Sequence, residues 1–360
     1  LRAELVRGGK VVDADTVTMA RRRFEVRGKR FALNGRPVTL RAGSVVWHRW
    51  LRDPEAPELA WDVDWLTENV LRRLKRMGAN TLRFHLGTPP ERLLDACDRL
   101  GLMVQAEWIF FHGCEASRSS MERQWTDWFE LCFRHPSVCL VHPWNETEPE
   151  SLGEAWAAIG KVADNYPPVV LSHRDVLHLH RYWWSLFENV GVYFESAEVF
   201  GKPIMADEFG GNYLDGEGMP GGYPRLAETF SRFLGRKHSA EERLRLQADA
   251  NGRMAEYWRR IGAAGFSPFC VLGPPEDGNH HFLGPLREGH PKPVWEALRA
   301  AYAPVAASLA LWDRNFAPGG RYPAEIHLFN ETREDVEAEL GFGIRGHEII
   351  TQRVSLPAGC

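Results

Sequence analysis

The stretch GANTLRFHLGTPPERLLDACDRLGLMVQAEW, residues 78–108, decides the fold. Its opening piece, Asn80–His85, and its closing piece, Leu102–Trp108, are short apolar runs of strand length, and Glu91–Leu100 between them has the apolar spacing of a helix. Strand, helix and strand in so short a span make one β/α repeat. Working outward, the alternation recurs. Further strands are predicted at Thr39–His48, Val138–Pro143, Pro168–Ser172, Val176–His180, Pro203–Glu208 and Gly265–Leu272. Helical patterns fall at Val63–Met77, Met121–Phe133, Leu152–Tyr166, Ala240–Ile261 and Val294–Tyr302. Eight strands with helices between most of them, over roughly 260 residues, match an α/β fold of the (β/α)8 TIM-barrel type, placed at residues 40–302. A doubly wound sheet would carry a phosphate loop after its first strand, where this chain has Trp47-His48-Arg49-Trp50.

The flanks read as β. In the N-terminal segment, residues 1–39, Arg23–Val26 and Arg30–Leu33 alternate, and Asn34-Gly35 is a hairpin signal. In residues 303–360, strands at Ala307–Trp312, Ala324–Phe329, Val336–Phe342 and Ile349–Val354 are expected to form a partial C-terminal β-sandwich. Strands five and six are so close in sequence that the fifth helix is expected to be vestigial or absent. The long insertion Gly210–His238 reads as a lid over the site, an oligomer contact or a floppy loop.

Composition narrows the partners. Lys and Arg number 44 against 48 Asp and Glu, with no long basic block, which argues against nucleic acid. The densest basic cluster, around Arg21-Arg22-Arg23, is read as the solvated face of a strand. No apolar run reaches the length of about 18 residues that a membrane span needs. Six cysteines are too irregular for a disulfide scaffold and are read as mostly reduced. The chain starts at Leu1 without a leader pattern, so it is expected to begin inside a longer gene product, and neither compartment nor oligomeric state is legible. Gly216–Gly221 matches a dinucleotide fingerprint in letters only: Pro220 interrupts it and Glu217 would repel phosphate.

Chemistry in a barrel gathers at the C-terminal ends of its strands. Glu146 ends the fourth predicted strand, in the run Arg134 to Glu146, and Glu208 ends the seventh, in the run Lys202 to Gly211. Strands four and seven are expected nearly opposite one another across the mouth. Two carboxyls about 5 to 5.5 Å apart support double displacement at a sugar.

Trp144-Asn145-Glu146 after its Arg-His-Pro-Ser-Val lead-in, and Asp207-Glu208-Phe209-Gly210, resemble the catalytic strands of glycoside hydrolase family 2, within the clan of retaining (β/α)8 glycosidases. Phe31 to Gly43 is similar to that family's entry into its barrel, and Gly78 to His85 with Leu93 to Val104 to its second and third strands. The resemblance implies Glu146 as acid/base and Glu208 as nucleophile. It implies that Arg83 keeps Glu208 ionised, that Asn145 meets the sugar 2-hydroxyl, and that Tyr182 sits beside Glu208. Glu146 is expected to have a raised pKa. The implied function is a retaining, exo-acting β-glycosidase with a carbohydrate as its partner and no cofactor. The alternatives are an endo-acting β-glycanase of the same clan and a silent carbohydrate-binding barrel.

Other residues carry two readings. His85 and Glu107 either bind substrate or belong to a buried network. Asp207 faces away from Glu208 by strand periodicity and is read as structural. The eighth strand lacks the clan's tryptophan, so the sugar platform is sought in Trp108, Trp144, Trp183 or Trp184. His178 and His180 share a strand face with zinc-ligating spacing, but a third ligand is not evident; no metal is expected, and His180 is read as a hydroxyl-binding group. His280 and His281 are expected to be exposed. Asn-Glu-Thr recurs at 330–332, where it is read as a plain turn.

Overall fold

The computed structural model describes residues 1–16, 19–47, 56–113, 116–147, 152–166, 169–182, 196–222, 226–273, 279–311, 316–344 and 346–359. Its centre is one curled sheet of eight parallel strands. In chain order they are Leu40–Val46, Thr81–His85, Met103–Phe111, Val138–Asn145, Val170–Leu171, Leu177–Arg181, Ile204–Gly210 and Gly265–Phe269. Strand one pairs with both two and eight, as closure requires. The two sheet ends, strands five and six, meet through one parallel bridge, Ser172 to Val176. The sequence predicts all eight strands because strands buried on both faces read as continuous apolar runs.

Helices cover the outside. Val63–Leu66, Thr67–Leu71 and Arg72–Met77 follow one another, the middle piece a π turn, and end at Gly78 with φ 93°, a left-handed cap favouring glycine. Glu91–Leu100 ends likewise at Gly101. Arg118–Arg134, Glu154–Ala163, Ala240–Arg260 and Val294–Ala301 complete the predicted set. Ser239 and Glu242 form a reciprocal capping box that starts the longest of these helices. Between strands five and six the described chain has no helix, as expected.

Around the ring, strands four and seven stand three places apart by the shorter way, through the short strands five and six, and five by the longer, so they are nearly opposite as expected. The insertion after strand seven contains the helix Leu226–Leu234, which buries Leu226 and Phe230. The C-terminal strands form separate antiparallel sheets, Val305–Ala310 with Glu325–Asn330 and Val336–Gly343 with Ile349–Leu356, in keeping with the expected partial β domain after the barrel. Two expectations are corrected. At the N-terminus, an exposed hairpin of Arg2–Arg7 and Lys10–Thr16 precedes the three-stranded sheet of Phe24–Arg27, Arg30–Leu33 and Arg36–Val38. Arg22 lies outside these strands and donates to the carbonyl of Val138 at 2.6 Å, which ties the segment to the barrel floor. Lys292 buries its ammonium against the carbonyls of Leu214 and His280, and this draws His280 and His281 into the interior, 9% and 3% exposed. No described helix is long and apolar enough to cross a membrane.

Candidate active site

The mouth of the barrel collects the charged residues that interrupt its apolar strands. Glu146 follows strand four in a left-handed conformation, φ 43°, which turns its side chain off the strand line. Thr147 donates to the carbonyl of Asn145 at 2.9 Å, and the His112 ring contacts the Glu146 carbonyl at 3.0 Å. Glu208 lies within strand seven, buried. Carboxylate oxygens of Glu146 and Glu208 lie within 4.8 Å of one another, with a nitrogen of His180 inside the same limit of each.

His180 stands between the two acids. Its Nδ1 is 2.6 Å from Glu146 Oε1 and 3.3 Å from Glu208 Oε2, and its Nε2 is 3.4 Å from Asp207 Oδ1. Tyr182 donates its hydroxyl to Glu208 Oε2. The other oxygen, Oε1, accepts from Arg83 Nη1 at 2.8 Å. Arg83 also donates to Glu107 Oε2 at 2.8 Å, to Asn145 Oδ1 at 3.0 Å and to the Asp207 carbonyl at 3.0 Å. The second Glu107 oxygen meets His85 Nδ1 at 2.6 Å and accepts from Leu86 N at 3.0 Å. Arg83 and Glu107 have no exposed surface at all: Arg83, a substrate-binding candidate by its place beside Glu208, acts on that carboxylate, and of the two readings of Glu107 the buried network is the one its burial favours.

Below runs a second polar tier. Gln105 donates to Asp207 Oδ2 at 2.9 Å and contacts His142 Nδ1 at 3.1 Å, while the His178 ring reaches Asp207 Oδ2 at 2.6 Å. Asp207 therefore faces inward beneath Glu208 and not away from it, a correction to the strand-periodicity reading: the register shifts at this point against strands six and eight, which breaks the two-residue alternation. Gln105, His112, His142 and His173 were not singled out by sequence reasoning; polar residues inside otherwise apolar strands are the signal that marks Gln105 and His142.

Electrostatics follow from this wiring. Burial opposes charge on Arg83, but Glu107, Asp207 and Glu208 outweigh it and raise its pKa further. Burial pushes Glu107 up, yet Arg83, His85 and His142 hold it well below the usual range. For His180 burial favours the neutral ring, and Glu208, Asp207 and Glu146 overcome it, pushing the pKa up to about 10. Glu146 is lowered, first by its hydrogen bond from His180. The expected rise at Glu146 is thus reversed in the ligand-free site, because an imidazolium sits against it. Tyr182 is raised well above its ordinary value by burial and by Glu208.

Trp144 is fully buried between Trp125 and Trp156, which removes it as a sugar platform. Trp108 is half-buried against Trp128. Trp183 and Trp184 lie outside the described residues. Among the described residues, three groups could hold a metal: Glu146 with His180 and Glu208, Asp95 with Asp98 and His135, and His142 with His178 and Asp207.

No family profile and no curated protein matches the chain. Solved structures do. An exo-chitosanase from Amycolatopsis orientalis superposes with a TM-score of 0.69 at 15% identity, covering 100% of this chain and 49% of that one. A β-D-mannosidase from Dictyoglomus thermophilum gives 0.66 at 16%, over 94% of this chain and 48% of its own. A β-glucuronidase from Bifidobacterium dentium gives 0.61 at 18%, over 84% and 53%. The chain spans about half the length of each of these structures. Its architecture is that of a barrel found in glycoside hydrolases, with β pieces at both ends.

Proposed function

We propose that the chain is the catalytic part of a retaining, exo-acting β-glycosidase resembling glycoside hydrolase family 2. The observation that carries this reading is the approach of the Glu146 and Glu208 oxygens to within 4.8 Å, the short spacing of double displacement. The solved structures that share the fold, named for the removal of mannosyl, glucuronyl and chitosan units, support it.

Glu208 is the nucleophile. Arg83 and Tyr182 fix one oxygen each, which aims the carboxylate and keeps it ionised. As its oxygen bonds to the anomeric carbon, the bond from that carbon to the leaving oxygen breaks. The leaving oxygen takes a proton from Glu146. In the empty site that proton rests on His180, and the 2.6 Å hydrogen bond to Glu146 is the path along which it moves when sugar displaces solvent and desolvation raises the carboxyl. Esterified Glu208 no longer carries the negative charge that does most to hold His180 protonated. Glu146, now a carboxylate, takes a proton from water, the water oxygen bonds to the anomeric carbon, and Glu208 departs as a carboxylate. Asn145, oriented by Arg83, meets the 2-hydroxyl. The reaction needs no cofactor.

A panel of nitrophenyl β-glycosides tests the reading. Hydrolysis of one member, with mass added to the peptide holding Glu208 during turnover, is the expected result. Turnover of internal polysaccharide bonds alone would make the enzyme endo-acting, and sugar binding without turnover would make it a silent barrel.

A further inference from the structure

Beneath the two acids, the barrel is weakest. Strand five has two residues, Val170 and Leu171, and it pairs with strand four only through them. Among the described residues its link to strand six is one bridge, from Ser172 to Val176. At this seam three imidazoles converge from three elements: His142 from strand four, His173 from the connection and His178 from strand six. Their ring centroids are 4.2 Å apart for His142 and His178, 5.4 Å for His142 and His173, and 5.7 Å for His173 and His178. Asp207 of strand seven joins them, and it, His142 and His178 offer ligand atoms all within 4.8 Å of one another.

The hydrogen bonding at this cluster is incomplete in a specific way. His178 spends Nδ1 on Asp207, and His173 is hydrogen-bonded to the backbone of Trp144. Nε2 of each is buried and meets no hydrogen-bond partner among the described residues, although the His178 side chain is only 4% exposed. Buried polar atoms left over in a folded protein call for a water or an ion. A ring that donates one nitrogen to a carboxylate or carbonyl and keeps the other for an ion is the pattern of a metal-ligating histidine. The charges agree: in the connected network Arg83 and His180 supply two positive charges against the four carboxylates of Glu107, Glu146, Asp207 and Glu208.

We infer that this seam binds a dication of zinc type through His142, His178 and Asp207, with His173 turning in as the fourth ligand. Nitrogen-rich ligation suits zinc. The ion cross-links strands four, six and seven and the connection at the place where backbone pairing is sparse, so its role is to hold the barrel shut and not to react. This site stands independently of the glycosidase reading.

The full chain, stripped with a chelator, is titrated with zinc chloride by calorimetry and with cobalt chloride in the visible. One equivalent is expected, with tetrahedral cobalt bands and a zinc-dependent rise in the thermal midpoint. The double variant H142Q/H178Q should lose uptake, and Asp207→Asn should weaken it about 10- to 100-fold. His135→Gln and Glu208→Gln should leave it intact. No uptake by the stripped wild-type chain overturns the proposal whatever the variants do. Uptake lost in His135→Gln or Glu208→Gln and retained in Asp207→Asn overturns it as well, by placing the ion at one of the other two clusters.

Discussion

The tripeptide Asn-Glu-Thr occurs twice, at 145–147 on the barrel mouth and at 330–332 after a C-terminal strand, and the two copies have different work. In both, the asparagine is buried and the threonine hydroxyl bonds back onto it: to the Asn145 carbonyl in one, and to Asn330 Oδ1 at 2.6 Å in the other. The glutamates are alike in exposure, 34% for the Glu146 side chain and 21% for Glu331. What differs is the partner. Glu331 lies between two guanidiniums, Arg41 on the barrel floor and Arg259 on the longest helix, at 3.0 Å from the latter. Glu146 faces the imidazole of His180. An arginine holds its proton at any ordinary pH, whereas a histidine can release it, so the first pairing is a clamp and the second, on the proposed mechanism, a proton path.

The comparison can be broken most decisively at Glu208, the proposed nucleophile, which only one copy faces. Glu208→Gln should lower kcat on an aryl β-glycoside by at least about 10⁴-fold, whereas Glu331→Gln should leave the rate nearly unchanged. Next, Glu146→Gln should cost roughly 10²- to 10⁴-fold on a glycoside with a poor alkyl leaving group, and less on nitrophenyl substrates that depart unaided. Equal loss on both substrates would remove Glu146 from the acid role. A stability measurement inverts the ranking of the glutamates: in urea, Glu331→Gln should lose about 1 to 3 kcal/mol, because Arg259 and Arg41 keep their burial and lose a charged acceptor. Glu146→Gln should lose less.

The smallest effect is in pH. His180 has a folded pKa raised to about 10 against an ordinary value near 6.5, so its stabilisation is complete below about pH 6.5 and fades as pH rises toward 10. Glu146, lowered by the same hydrogen bond, contributes above the ordinary carboxylate range and loses that contribution as pH falls through it. The thermal midpoint of wild type should therefore decline on the alkaline side, and His180→Gln should flatten that decline. An unchanged slope in the variant would show that other groups set it.

Much of the architecture was readable in advance, for physical reasons that also mark where reading stops. Glu91–Leu100 needed only its own periodicity, and Thr81–His85 only its burial on both faces. Arg83, His85, Gln105, Glu107 and His142 show in the sequence as polar breaks in apolar strands, and these breaks form the floor of the site. The pairing of His180 with Glu146 was not legible, since it depends on the register of strands six and seven and on the turn after strand four. The lowered Glu146 pKa was missed for the same reason. The seam cluster joins residues from four elements, and spacing along one strand finds only His178 and His180. The C-terminal hairpins were seen as strands, but which strands share a sheet is decided by partners and not by composition.

The short fifth and sixth strands have one further consequence. They alone fill the arc between Glu146 and Glu208, so their width sets how far apart the two acids stand. Were the connection at Ser172 to Val176 lengthened enough to part the acids to roughly 6.5 to 9.5 Å, a water molecule would fit between carboxylate and sugar, and the same residues would expel the opposite anomer. On the proposed reaction, the configuration of the liberated sugar follows from how tightly two adjoining strips of backbone are drawn together.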